Sequence, residues 1–198
     1  KFIIIKALGA GLINGPVYHD AMLVNQGGGS DDQYMAINAD FDIAVDAGNM
    51  WNNNKPTTEY FGVGTHNMVG SSSYDPYIAW VWSEVKGYSA FGKAIGNGDT
   101  DGPFCHCGFR PRFIIWKGGS VDSDWGIVDT SRTPYNSCDD LIWSSSSQAE
   151  DTTNSNWARD ILANGFKIRG SHAAVNGSGS TFLWAAFAEN PFKTARAF

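Results

Sequence analysis

The 198-residue chain is 42% hydrophobic and 14% aromatic, with 23 Gly and 8 Trp, which is too apolar for a disordered polymer and rich in strand and turn formers. Its net charge of −6 sits entirely in residues 1–103 (5 Lys against 11 Asp or Glu), while residues 104–198 balance at 9 against 9, so no basic footprint for nucleic acid or anionic membrane exists. No apolar run approaches the ~20 residues of a spanning helix, and three cysteines make a poor disulfide framework, so the fold must be held by its core.

Phe2-Ile3-Ile4-Ile5-Lys6 opens the chain as an Ile-rich strand rather than a signal peptide, and this abrupt start fits a piece of a larger polypeptide. Residues 25–34 read as a polar surface loop. Tyr60-Phe61-Gly62-Val63 is a short apolar segment, and the turn formers of 70–76 then lead into Tyr77-Ile78-Ala79-Trp80-Val81-Trp82. The Gly/Asp stretch 96–103 is the clearest break, and 104–109 follows as a strand. Phe113-Ile114-Ile115-Trp116-Lys117 then repeats the opening strand at a displacement of 111 residues. A second polar loop spans 144–156, and 156–163 has room for one short helical turn. Gly165-Phe166-Lys167-Ile168 repeats 60–63, and the run from Phe182 to Phe187 repeats the one from Tyr77 to Trp82, both displaced by 105.

The duplication predicts an all-β chain: an antiparallel β-sandwich, jelly-roll-like, of two pseudo-repeated halves at 1–95 and 104–198, joined by 96–103 and packed as one unit. Turn chemistry at 70–76 and 176–180 predicts hairpins of 61–69 with 77–85 and of 166–175 with 182–188. The runs at 77–82 and 182–187, apolar at nearly every position, read as strands buried on both faces.

Chemistry is sparse. Asn97, Asp99, Asp101 and Gly102 match the first half of a calcium loop, but Gly108 stands where the closing Glu belongs, and a plain Gly/Asp linker is the better reading. Cys105-His106-Cys107 puts two thiols on one strand face and an imidazole on the other, which suits small buried thiols better than zinc. Serine tracts at 71–73 and 144–147 lack a nucleophile elbow, and His19, His66, His106 and His172 fall on different elements. Asp122 with Asp124, and Asp139 with Asp140, would serve glycoside hydrolysis only if brought together across a cleft. Asp129 and Arg132 read as a turn-stabilising ion pair. Trp80, Trp82, Trp116 and Trp184 belong to apolar strands and are expected in the core, whereas Trp51, Trp125, Trp143 and Trp157 flank polar loops and are the candidates for ligand contact.

One ordered string of motifs remains: Tyr77-Ile78-Ala79-Trp80-Val81-Trp82, Gly87-Tyr88-Ser89-Ala90-Phe91-Gly92, Gly96-Asn97-Gly98, Asp101-Gly102-Pro103-Phe104, and the run from Gly108 to Lys117. Asp129, Arg132, Asn164-Gly165-Phe166 and the run from Ala174 to Gly179 continue it. Over nearly the whole chain this string resembles a repeat module of uncharacterised function found in virion proteins of tailed phages, especially marine and cyanobacterial ones. The resemblance implies a structural or adhesive β-sandwich, non-enzymatic and without cofactor, exposed on the particle as tail fibre, knob or decoration. Its partners would be other virion proteins, copies of itself (a trimer by analogy with phage fibres) and a host surface glycan. The weighed alternatives are a lectin-like carbohydrate-binding module and, behind it, a polysaccharide depolymerase.

Overall fold

The computed structural model describes residues 1–9, 11, 13–22, 32–46 and 49–191. The chain is all-β, with antiparallel pairing throughout and no helix in the described residues long and apolar enough to cross a membrane. It divides into two units, Lys1–Trp82 and Ser83–Phe198.

In the first unit, β1 (Phe2–Ala7), β2 (Pro16–His19), β3 (Gln33–Ala36), β4 (Ala44–Val45) and β5 (Tyr77–Trp82) form one sheet in the order β4-β3-β2-β1-β5. Ile3, Ile5, Val17, Tyr18 and Met35 are buried in it together with Met50 and Trp51 from the long connection that follows β4. Residues 25–31 of the expected first polar loop lie outside the described residues, and Gln33 and Tyr34 already belong to β3.

The second unit contains β6 (Ser89–Ile95), β7 (Phe104–His106), β8 (Pro111–Gly118), β9 (Gly126–Asp129), β10 (Ile142–Trp143), β11 (Arg159–Leu162), β12 (Gly165–Ile168), a single helical turn α1 (Ala173–Asn176) and β13 (Thr181–Ala188). A five-stranded sheet, β10-β9-β8-β13-β6, faces a three-stranded one, β11-β12-β7. Ile114, Trp116, Phe182 and Trp184 of the first share one core with Cys105, Ile161, Phe166 and Ile168 of the second, and the Phe166 ring meets Trp184 edge-on at 5.4 Å. This unit is an antiparallel sandwich in its own right.

The duplication is visible in the ladders. β1 pairs with β5 from Phe2↔Trp82 to Ala7↔Tyr77. β8 pairs with β13 from Phe113↔Phe187 to Gly118↔Phe182, the same six pairs after displacements of 111 and 105. β2 and β3 likewise sit where β9 and β10 do.

Several expectations change. Neither hairpin forms. β5 pairs with β1, because β1 offers an unbroken apolar strand, while 61–69 is interrupted by Gly62 and Gly64 and turns at His66. β13 lies between β8 and β6, because β12 stops at Ile168 with both its edges taken by β11 and β7, and residues 173–176 coil into α1. The division falls after Trp82, ahead of the 96–103 stretch, since Ser89–Ile95 belongs to the sheet of the second unit. β13 is buried along nearly its whole length, but β5 is not: Trp80, expected in the core, is 44% exposed, and Trp82 is partly buried. The cause is position, since among the described residues β5 ends its sheet and pairs on one side, with β1. The tail of the predicted helical stretch is instead strand β11, preceded by a 3₁₀ turn at Ser155–Trp157.

Candidate functional site in the second unit

Three connections of the second unit and the end of β10 meet around a cleft of about 320 Å³. The β8–β9 connection brings Asp122, Ser123 and Asp124; β10 ends in Trp143; the loop behind it brings Gln148 and Asp151; and Asn154, Trp157 and His172 complete the lining. The loops are tied individually. Gly118 N donates to Ser123 Oγ at 3.1 Å, and the buried Lys117 donates through Nζ to the Ser123 carbonyl. Ser145 Oγ donates to Asp124 Oδ1 at 2.7 Å and accepts from Trp125 N at 3.1 Å, which joins the β8–β9 loop to the serine tract. Reciprocal 2.9 Å backbone bonds between Leu141 and Asp151 close the base of the 144–150 loop.

Asn154 and His172 are caps. Asn154 Oδ1 accepts from Asn156 N at 3.1 Å at the start of the 3₁₀ turn, and His172 Nδ1 accepts from Ala174 N at 3.2 Å at the start of α1. A ring nitrogen that accepts carries no proton, so the neutral imidazole has its hydrogen on Nε2. Burial lowers the His172 pKa from its ordinary value. Its ring lies 3.7 Å from that of Trp157, tilted by 31°, and Trp157 in turn meets Trp143 edge-on at 5.0 Å and Trp116 at 5.4 Å. Beneath them the fully buried Arg159 sits 5.4 Å from Trp116 and donates from both Nε and a terminal nitrogen to the Trp157 carbonyl. Burial pushes that guanidinium down to about 10. The aromatic floor is therefore held from behind, with Trp143 the half-exposed member.

Two of the four tryptophans singled out from sequence thus line one cleft. The other two do not: Trp51 and Trp125 are 0% and 1% exposed and have no face to offer a ligand. Trp51 Nε1 donates to the Gln33 carbonyl and its ring stands edge-on to Tyr18, while Lys117 Nζ lies 5.9 Å over the Trp125 ring. A tryptophan beside a polar loop can be that loop's interior anchor, and flanking composition does not distinguish the two roles. His172, about fifty residues away in sequence, is brought to the pair Asp122 and Asp124. Gln148, Asp151 and Asn154 escaped notice inside a segment read only as loop; the signal available was that this segment runs from Trp143 to Trp157.

At the calcium candidate the side chains make turn contacts. Asn97 Oδ1 accepts from Asp99 N, Asp99 Oδ1 accepts from Asp101 N, and the Asp101 carboxylate is held by Lys167 at 3.1 Å and Arg169 at 2.8 Å. Lys167 foremost keeps its pKa low. Among the described residues no group of three His, Cys, Asp or Glu is placed to hold a metal. Cys105 and Cys107 are thiols whose pKa burial raises, for Cys107 to about 12, which favours the protonated thiol at neutral pH. Asp129 pairs with Arg112 at 3.7 Å and Arg132 with Glu150, rather than with each other, although Arg132 N does close the turn on the Asp129 carbonyl.

Residues 1–191 match DUF7483, a domain of unknown function. The chain belongs to this family. The DUF7483 match spans both units and includes every residue of the cleft. No curated protein and no solved structure matches the chain.

Proposed function

We propose that this DUF7483 chain is a non-catalytic adhesive module of a tailed-phage virion surface, in a tail fibre, knob or decoration, and that it grips a neutral or amino sugar of the host envelope in the Trp143 cleft. The observation that carries this reading is the lining: three carboxylates, two carboxamides and an indole face around one opening. Carboxylates accept strongly from sugar hydroxyls, carboxamides both donate and accept, and the Trp143 ring offers a flat apolar surface to the C–H face of a pyranose. The volume lies at the lower end for small-ligand sites and admits one or two sugar rings. Asp122, Asp124 and Asp151 together repel uronic or sialic acids. The virion context rests on the motif resemblance, and with it the partnership with other virion proteins and a homo-oligomer, a trimer by analogy.

A glycan array probed with the intact chain tests the site. Saturable binding to neutral or amino sugars is expected, weakened about tenfold or more by Trp143→Ala, the size of a lost aromatic contact. A wild-type chain that binds no glycan, or a Trp143→Ala chain that binds equally, would overturn the proposal. The shared cleft of Asp122, Asp124 and Asp151 also favours a second reading, hydrolysis of the bound polymer by paired acids. New reducing ends on incubation with polysaccharide, lost in Asp124→Asn or Asp151→Asn, would replace adhesion by cleavage.

A further inference from the structure

We infer that the outer edge of β5 is an acceptor for one further antiparallel strand, supplied by a partner polypeptide as an extended, uncharged-to-basic segment of the same kind as β6.

The internal copy carries the argument. The strand order β3-β2-β1-β5 of the first unit and β10-β9-β8-β13 of the second correspond ladder by ladder, but the second sheet continues into β6 and the first stops. β6 covers the β13 edge through seven antiparallel pairs, from Thr181↔Ile95 to Phe187↔Ser89. Along Tyr77 to Val81 the backbone pairing among the described residues is the ladder to β1, and Tyr77 alone reaches elsewhere, through a hydroxyl that donates to the Asn67 and Ser71 carbonyls and accepts from Ser71 N.

What β5 presents there is unlike a protected edge. Natural edges carry lysine, proline or a bulge, which discourage pairing. Tyr77-Ile78-Ala79-Trp80-Val81-Trp82 has no charge, no proline and six regular pairs to β1, and Ile78, Trp80 and Val81 are 39%, 44% and 52% exposed. Beside it Phe61, Val63 and Val69 form with Tyr77 and Ile78 an apolar depression of about 260 Å³.

Register defines the occupant. Ala185, opposite Phe91, corresponds to Trp80, and Trp184, opposite Gly92, corresponds to Ala79. Large and small are exchanged between the copies. In the second unit Gly92 is obligatory, since a Cβ there would stand 2.4 Å from the Trp184 ring. On β5 the bulk is one position further along, so the incoming strand needs a small residue opposite Trp80 and a large apolar one opposite Ala79. Charge agrees: residues 1–82 hold 3 Lys against 8 Asp or Glu, net −5 (3 minus 8), whereas Ser89–Ile95 carries Lys93 and no acid. Main-chain hydrogen bonds would supply affinity and the alternating pockets selectivity, as in other strand additions.

The test uses the intact chain and three labelled ten-residue peptides: Gly-Tyr-Ser-Ala-Phe-Gly-Lys-Ala-Ile-Gly as in residues 87–96, the same with its Phe and Gly exchanged, and a scrambled control. Fluorescence anisotropy should show saturable binding with the exchanged peptide tightest, by about tenfold over the scramble. Binding should be lost in a Trp80→Lys, Val81→Lys double variant, whose altered side chains are exposed and whose circular dichroism should match that of the wild type. No saturable binding, a scramble that binds as well, or binding unchanged in the double variant overturns the inference. Self-association on sedimentation without peptide binding also overturns it, by giving the edge to a second copy.

Discussion

His172 joins two roles, as cap of α1 through Nδ1 and as ring partner of Trp157 in the cleft wall. Because burial depresses its pKa, the folded state binds fewer protons than the unfolded state between the two values. Stability from neutral His172 is therefore complete above the ordinary histidine range and is lost as pH falls through the depressed folded value. Denaturant unfolding at successive pH values, compared between wild type and His172→Asn, isolates this group, since asparagine keeps a capping oxygen but does not titrate. The wild type's advantage should shrink on going from neutral to mildly acidic pH; a constant difference would rule out the linkage. Gly126 makes a purely steric case. A Cβ there would lie 2.3 Å from the Trp116 indole, so the first residue of β9 is glycine because a tryptophan of β8 crosses it. Gly126→Ala is expected to cost about 1–3 kcal/mol by overpacking, read from the urea midpoint at unchanged slope.

At the scale of elements, the two copies provide matched experiments. Trp80 in β5 and Ala185 in β13 occupy the same place in their ladders, yet Trp80 is 44% exposed and Ala185 is 1% exposed. Lysine at 185 would leave an ammonium unpaired in the core and should cost about 3 kcal/mol or more, whereas Trp80→Lys should change stability by less than about 1 kcal/mol. Equal effects would contradict the difference in burial. The same pair explains what the sequence made legible. Composition, the recurrence at 111 and 105, and the identity of β1, β5, β8 and β13 as strands could all be read from residue type, because apolar β-branched and aromatic runs declare strand locally. Pairing partners could not, because edge or centre is decided by segments far away in sequence: β13 is central only because β6 covers it. Trp143 and Trp157 were likewise recognisable as loop-flanking, but Trp51 and Trp125 carried the same local signature and face inward. The partners of the cleft were invisible for a related reason, since three connections separated by up to fifty residues meet there through backbone ties and caps rather than through a contiguous motif.

For the whole molecule, the asymmetry between the units becomes a statement about folding. The second unit closes two sheets on one core containing Trp116, Trp157 and Trp184, and its ladders are complete within Ser83–Phe198. The described residues of the first form one sheet, which ends at the apolar strand β5. Two sheets packed face to face close a core on both sides, and among the described residues that arrangement is seen in the second unit. A fragment of residues 83–191 should therefore unfold cooperatively and keep the near-ultraviolet dichroism of its buried tryptophans, while a fragment of residues 1–82 should not fold alone. In the intact chain, Trp51, Trp80 and Trp82 report on one unit and the other five tryptophans on the second, so tryptophan-to-phenylalanine variants can assign each step of the denaturation curve. The first unit should melt at the lower denaturant concentration, and a peptide bound at the β5 edge should raise that midpoint alone, because a ligand of the folded state stabilises only the unit that holds it. A single transition shared by all eight tryptophans, with neither fragment folded, would mean that the two units form one cooperative body.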